Sequence, residues 1–270
     1  MHAEKAEMKP ASEAAAQIRL GNAPNAPLLG IRIGHASRAA PNKSNEDCYG
    51  IVTPAEEPEA ASRGVAVAIA DGSSAAERGR LASETTVKTL LRDYYGTSAA
   101  WNVAQALERV LRSVNDWLFR ENVRRAELGG AVTTLSMTVF RDSRYYLVHV
   151  GDTRIYRKRG AALRQLTADH TWQRSDMRHV LKRAVGLDGH LVVDFSEGEL
   201  RPGDTFLLAS DGVWEVLGDR VLMEVLEGGG GPGEMAEQLT QRSVRGQAQY
   251  MGRNDATAVV VAVEEWNAEP

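Results

Sequence analysis

Apolar positions recur along this chain with two periods, and the change from one to the other marks out its elements. Short apolar or alternating runs closed by turn signals predict strands. They fall at Leu28 to Arg38, Cys48 to Thr53, Gly64 to Ala70, Thr133 to Phe140, Tyr145 to Val150 and Thr153 to Lys158. Further runs lie near Leu191 to Phe195, at Thr205 to Ser210 and at Ala256 to Glu264. Two stretches follow the helical period instead: Leu81, Val87, Leu90, Leu91 and Tyr94 share one face, and Val103, Leu107, Val110, Leu111, Val114 and Leu118 share another. Gly96-Thr97-Ser98 separates them, a polar piece with helical character is predicted over Thr171 to Val185, and a last helix around Gly233 to Gln247. Asp142-Ser143 and Gly151-Asp152 split three of the strands into an antiparallel meander. Strands outnumber helices and helices come in pairs. That order predicts a layered α+β sandwich with antiparallel sheets inside and helix pairs outside.

Before the first strand, Asn22-Ala23-Pro24-Asn25-Ala26-Pro27 supports neither a helix nor a central strand. Residues 1–27 are therefore expected to be a flexible tail, 28–266 a single domain and 267–270 a C-terminal end. A length of 270 residues suits one large domain with a full core. The hydrophobic share is 43%, and no run approaches the roughly 18 apolar residues of a membrane span. Met1-His2-Ala3-Glu4-Lys5 lacks the apolar core and cleavage site of an export signal. Cys48, the one cysteine, excludes an internal disulfide and suits a reducing compartment, so a cytoplasmic location is expected. The formal charge is −4 with Lys and Arg dispersed, which argues against nucleic-acid and membrane-surface partners.

Candidate chemistry sits where apolar runs end. Gly64 to Ala70 delivers Asp71-Gly72, Thr205 to Ser210 delivers Asp211-Gly212, and Asp255 precedes the last strand. Glycine after the acid lets a ligand approach its carbonyl closely. A lone Asp-Gly is an ordinary turn. Its repetition in matching contexts points to strand-end carboxylates converging on a metal.

Seven motifs then occur in order: Asn45-Glu46-Asp47, Ala70-Asp71-Gly72, Gly130 to Leu135, His149 to Arg154, Leu166 to His170, Leu208 to Trp214 and Asn254 to Thr257. Together they resemble the metal-dependent protein phosphatases of the 2C type, over roughly Leu29 to Glu264. The run Ala82 to Tyr95 with Trp101 looks most like the phosphatase part of bacterial kinase–phosphatase proteins. The resemblance implies a four-layer αββα sandwich with two Mn²⁺ or Mg²⁺ ions at one end. It implies as ligands Asp47, Asp71, the Gly72 carbonyl, Asp211 and Asp255, with Asp71 bridging. All are oxygen donors, as hard cations prefer, and no Cys/His cluster speaks for zinc. The implied reaction is direct attack by a hydroxide bridging two metal ions on phosphoserine or phosphothreonine of proteins, without a phosphoenzyme. The partner it implies is an opposing Ser/Thr kinase.

Other acids divide. Asp152 matches the position of a third, weaker metal and is equally a plain turn residue between strands. Glu46 and Glu215 are read as orienting ligands or metal-bound water. His149 reads as a packed core residue and His170 as fixing a turn. Three departures from the family pattern stand out. Asn42 occupies the place of the phosphate-gripping Arg, which leaves Lys43 or Arg38 as substitutes. Ser73-Ser74 follows Asp71-Gly72, so no His at Ser73's position protonates the leaving group. Only Thr171 to Val185 separates Asp169-His170 from Gly186, a short flap. Altered phosphate grip keeps open a second reading, a catalytically weak regulatory or phosphoprotein-binding module on the same fold. A two-metal phosphoesterase acting on nucleic acid is weakened by the lack of a basic, aromatic groove signal.

Overall fold

The computed structural model describes residues 18–20, 29–53, 63–74, 78–98, 100–172, 180–247 and 254–265. In chain order the elements are β1 (Ile18–Leu20), β2 (Leu29–Arg38), β3 (Asp47–Val52), β4 (Val65–Ser74), α1 (Gly79–Tyr95) and α2 (Val103–Arg124). After a 3₁₀ turn at Ala126–Leu128 come β5 (Ala131–Thr133), β6 (Leu135–Arg141), β7 (Arg144–Val150), β8 (Arg154–Arg159) and β9 (Ala162–Gln165). β10 (Asp194–Glu199), β11 (Thr205–Ala209), α3 (Asp211–Glu227), α4 (Pro232–Gln247) and β12 (Ala256–Glu265) complete the described chain. One sheet runs β1-β2-β12-β11-β8-β9 and the other β10-β7-β6-β4-β3, with β5 beside the far end of β4. Every pairing is antiparallel.

Side-chain alternation sorts the strands into three cores. On β4, Val65, Val67 and Ile69 face the other sheet, where they meet Ile31, Leu208, Val259 and Val261. Ala66, Ala68 and Ala70 on the opposite face lie under α1 and α2, against Leu90, Leu107 and Leu111. Their small size suits a helix lying directly on the sheet. A third core packs Leu207, Ala209 and Val260 against Leu226 and Leu239 of α3 and α4. The result is the αββα sandwich expected. Phe206 bridges the sheets, edge-on to Phe140 and Tyr145 with centroids 5.2 and 5.0 Å apart, the offset geometry aromatic quadrupoles favour. Close backbone approach docks α4 as well: a Cβ on Gly34 of β2 would lie 2.0 Å from Gly233 N.

Several elements differ from the sequence expectation. Residues 18–20 of the supposed tail form β1 on the sheet edge, where Leu20 is buried. The helix α3 was not read, because Gly218 interrupts its apolar pattern with a non-helical φ of 66°. β9 is short and exposed and left no apolar run. The strand placed near Leu191 begins instead at Asp194. Around the expected polar helix over Thr171 to Val185, the described ends are extended, with bridges Thr171 to Leu181 and Thr133 to Val185; residues 173–179 lie outside the described set. Leu81, placed on the buried face of α1, is 48% exposed, and Ala82, Ser83 and Thr86 hold that face instead. Small residues there gave no apolar signal.

Candidate metal centre

Strand parity sets where the acids point. Inward positions 65, 67 and 69 of β4 lead by the two-residue period to Asp71. Asp47 opens β3 directly opposite it in register. On β12 the inward series of Val263, Val261 and Val259 leads back through Thr257 to Asp255. Asp211 follows β11 as the first residue of α3. Four segments distant in sequence thus deliver carboxylates to one end of the inter-sheet space.

Backbone bonds fix each of them. The Asp71 N–H donates to Thr134 Oγ1 at 2.8 Å, while its carbonyl accepts from Thr133 Oγ1 at 2.8 Å and Thr134 N at 2.9 Å. Gly72 N–H donates to the Glu46 carbonyl at 3.2 Å. A Cβ on Gly72 would stand 2.1 Å from Gly79 O, so only glycine lets the start of α1 press against this strand end. Asp255 clamps the loop before β3: Oδ1 accepts from Ala40 N at 2.6 Å and Oδ2 from Glu46 N at 2.7 Å. Asp211 Oδ2 accepts from Asn254 Nδ2 at 2.7 Å. Ser210 Oγ accepts from Thr257 N at 3.0 Å and donates to the Asp255 carbonyl at 3.3 Å. Asp152 lies between β7 and β8, where its carbonyl accepts from Trp214 Nε1 at 3.0 Å. Arg154 lies over the Trp214 ring, 3.3 Å from its centroid, and grips Asp169 with two bonds of 2.9 and 2.7 Å.

Burial and like charge act together on this group. Burial pushes the Asp47 carboxyl up to about 7, with Asp255 and Asp211 adding to it and the Thr257 and Ser210 hydroxyls easing it. Asp71 is raised well above the carboxylate range by burial, then by Asp47, Asp211 and Asp152. Asp152 also rises to about 7, through burial and the charges of Asp211 and Asp169. Both Asp47 oxygens and Glu46 Oε1 are buried without a properly formed hydrogen bond, those nearby hydroxyls notwithstanding. Buried acceptors of one charge sign are what divalent cations satisfy, and an all-oxygen set fits Mn²⁺ or Mg²⁺. Among the described residues no three Asp, Glu, His or Cys side chains already close around one ion. Asp47, Asp71, Asp152, Asp211 and Asp255 lie near enough to one another for their charges to raise the pKa values of Asp47, Asp71 and Asp152.

The remaining expected residues separate. Glu46 sits beside the cluster, its Oε1 close to Gly79. Glu215 is exposed on α3. Arg38 turns to the other face of its sheet, where it pairs with Glu237 of α4; it is not brought to the acids. Asn42 and Lys43 are exposed in the loop that Asp255 clamps. Asn42 has a φ of 63°, a left-handed conformation that Asn tolerates better than Arg. Sequence reasoning missed Thr133, Thr134, Ser210, Thr257, Asn254 and Trp214 as supports. All lie inside the quoted motifs, so adjacency to the acids was the available signal.

The fold and the cluster together define a metal-dependent hydrolase of the αββα type. The chain belongs to the protein phosphatase 2C family, which it matches over residues 37–242. It is 31% identical over 180 residues to the serine/threonine phosphatase stp of Listeria monocytogenes, covering 60% of this chain and 71% of that protein. It is 29% identical over 214 residues to the serine/threonine protein phosphatase PstP of Mycobacterium tuberculosis, covering 73% of this chain and 40% of that one. Among solved structures, PppA of Pseudomonas aeruginosa superposes with a TM-score of 0.71 at 27% identity, covering 86% and 97% of the two chains. The PstP catalytic domain in complex with two manganese ions gives 0.70 at 26%, covering 87% and 99%.

Proposed function

We propose that this serine/threonine phosphatase hydrolyses phosphoserine and phosphothreonine on proteins at a two-ion centre held by Asp47, Asp71, the Gly72 carbonyl, Asp211 and Asp255. The observation that carries the reading is Asp47, buried with both carboxylate oxygens lacking a formed hydrogen bond and facing like charges. Two Mn²⁺ or Mg²⁺ ions, when bound, supply Lewis acidity to the phosphoryl oxygens and acidify a water at neutral pH. The chain's own residues do the rest. Asp71, fixed through its backbone by Thr133 and Thr134, would hold the ions at the end of β4. Asp255 joins that centre to the 40–46 loop, so ligand geometry and the phosphate-facing loop are set by one side chain. Within this loop we assign Lys43 to the incoming phosphate, since Arg38 is engaged by Glu237. Glu46, beside the cluster, would orient a ligand, and Asp152 would hold a third, weaker ion.

We assign the chain from β1 through β12, residues 18–265, to one catalytic domain. An opposing Ser/Thr kinase is the partner the reaction requires, because it makes the substrate. No helix among the described residues is long and apolar enough to cross a membrane. The test is hydrolysis of para-nitrophenyl phosphate and of a phosphothreonine peptide with Mn²⁺, with Mg²⁺ and with EDTA, in wild type and Asp211→Ala. Release that needs the metal, disappears in the variant and favours the peptide supports the proposal. A folded protein that releases phosphate from neither substrate with either metal would instead favour the regulatory module.

A further inference from the structure

Asp152 follows Gly151, whose φ of 105° few residues adopt. A Cβ there would lie 2.6 Å from the Thr134 side chain. His170 grips this peptide from both sides. Its Nδ1 accepts from the Gly151 N–H at 3.1 Å, and its own backbone N–H donates to the Gly151 carbonyl at 2.7 Å. Because Nδ1 accepts, the ring proton is on Nε2, which donates to Asp194 Oδ2 at 3.0 Å. Arg183 Nη1 stands 3.3 Å from that nitrogen but donates to Asp194 Oδ1 at 3.0 Å, so Asp194 is itself oriented. The imidazole is 7% exposed and packs on His149 with centroids 4.8 Å apart.

We propose that His170 is a positioning residue for the metal centre: oriented by Asp194, it holds the Gly151 peptide so that the Asp152 carboxylate stays within the acidic cluster, and so sets the affinity of the third, weaker divalent ion. This rests on the reading of Asp152 as a ligand. The arrangement resembles the outer-shell partners of metal sites, except that the imidazole acts on the backbone that carries the ligand. It also links the segment bearing Arg183 and Asp194, whose side chains are 40% and 48% exposed, to the centre.

Two substitutions separate positioning from packing. His170→Asn places a carbonyl oxygen near the Nδ1 position and gives up the Nε2 donor. His170→Gln keeps an amide donor near Nε2 and has no acceptor at Nδ1. Mn²⁺ is titrated into metal-stripped protein without substrate, with free ion followed by electron paramagnetic resonance, for wild type, both variants and Asp152→Asn. The weakest binding step should weaken about threefold in His170→Asn, which loses only the bond to Asp194, and about tenfold in His170→Gln and Asp152→Asn, the scale typical of outer-shell losses. Equal loss in both His170 variants, or better binding in the bulkier Gln variant, would show a packing role and overturn the proposal. Unchanged binding in Asp152→Asn would instead remove the ligand reading beneath it. Should both His170 variants unfold, Asp194→Ala reads the same step from the exposed side: weaker binding supports the proposal and unchanged binding overturns it.

Discussion

Asp71 stands at the end of an inward series, Val65, Val67 and Ile69, in which every side chain is at most 3% exposed. That series was legible in the sequence as an apolar run closed by Asp-Gly. What holds Asp71 in place was not, because Thr133 and Thr134 reach it across more than 60 residues of chain. Asp71→Asn opens no cavity and removes the negative charge of the carboxylate proposed to hold the ions. It should lower turnover by at least about a hundredfold while leaving the melting curve cooperative; near-normal rates would show that Asp71 holds no ion. His149 is a second single-residue test. Its Nε2–H donates to the Ala168 carbonyl and its Nδ1 accepts from Ser136, so it is held neutral, and burial lowers its pKa from 6.5 to about 4. Above the unfolded value both states are neutral and nothing is lost. As pH falls below 6.5 the unfolded chain takes up the proton first, so stability drops until about 4, by roughly 3 kcal/mol in all. Across this window the denaturant midpoint of wild type should fall relative to that of His149→Gln, because the raised acids of the metal centre titrate alike in both. Equal slopes would contradict the assignment of His149 as buried and neutral.

Elements were legible where burial is one-sided and apolar. The 22-residue α2 carried its face in Val103, Leu107, Val110, Leu111, Val114 and Leu118, all buried, and opens with a capping box of Asn102 and Gln105. Elements went unread where glycine or small residues do the packing, as in α3 with Gly218 and the Ala82, Ser83 and Thr86 face of α1. The docking of α4 on β2 makes this physical. Gly34 leaves room for the Pro232 and Gly233 backbone, 2.2 and 2.0 Å from where a Cβ would be. Gly34→Ala must therefore push the helix off the sheet and should destabilise by about 1–3 kcal/mol or more, as overpacking does. Chemical denaturation measures it, and an unchanged midpoint would mean that α4 does not sit this close.

At the scale of the molecule, two sheets and two helix pairs exist to bring four strand and helix ends to one place. The layered architecture could be read from element order, and the acids from their motifs. The phosphate side could not, because Arg38 and Asn42 were separable only once a sheet face and a left-handed φ of 63° were known. The fold carries a stability penalty at this end: buried like charges disfavour the native state when no cation offsets them. Asp47→Asn removes one of these charges. In EDTA at neutral pH it should melt at or above the wild-type temperature, whereas saturating Mn²⁺, which stabilises by about 2.7 kcal/mol at a hundred times its Kd, should raise the wild type well above the variant. Wild type melting higher than Asp47→Asn in EDTA would mean that Asp47 is paired within the protein. The most direct measurement is the number of Mn²⁺ ions bound per chain at saturation, by equilibrium dialysis of wild type and Asp71→Asn. Two or more ions in wild type, and fewer in the variant that loses the Asp71 carboxylate, is the predicted result. One ion or none in wild type, or an unchanged count in the variant, would contradict a two-ion centre built on Asp71.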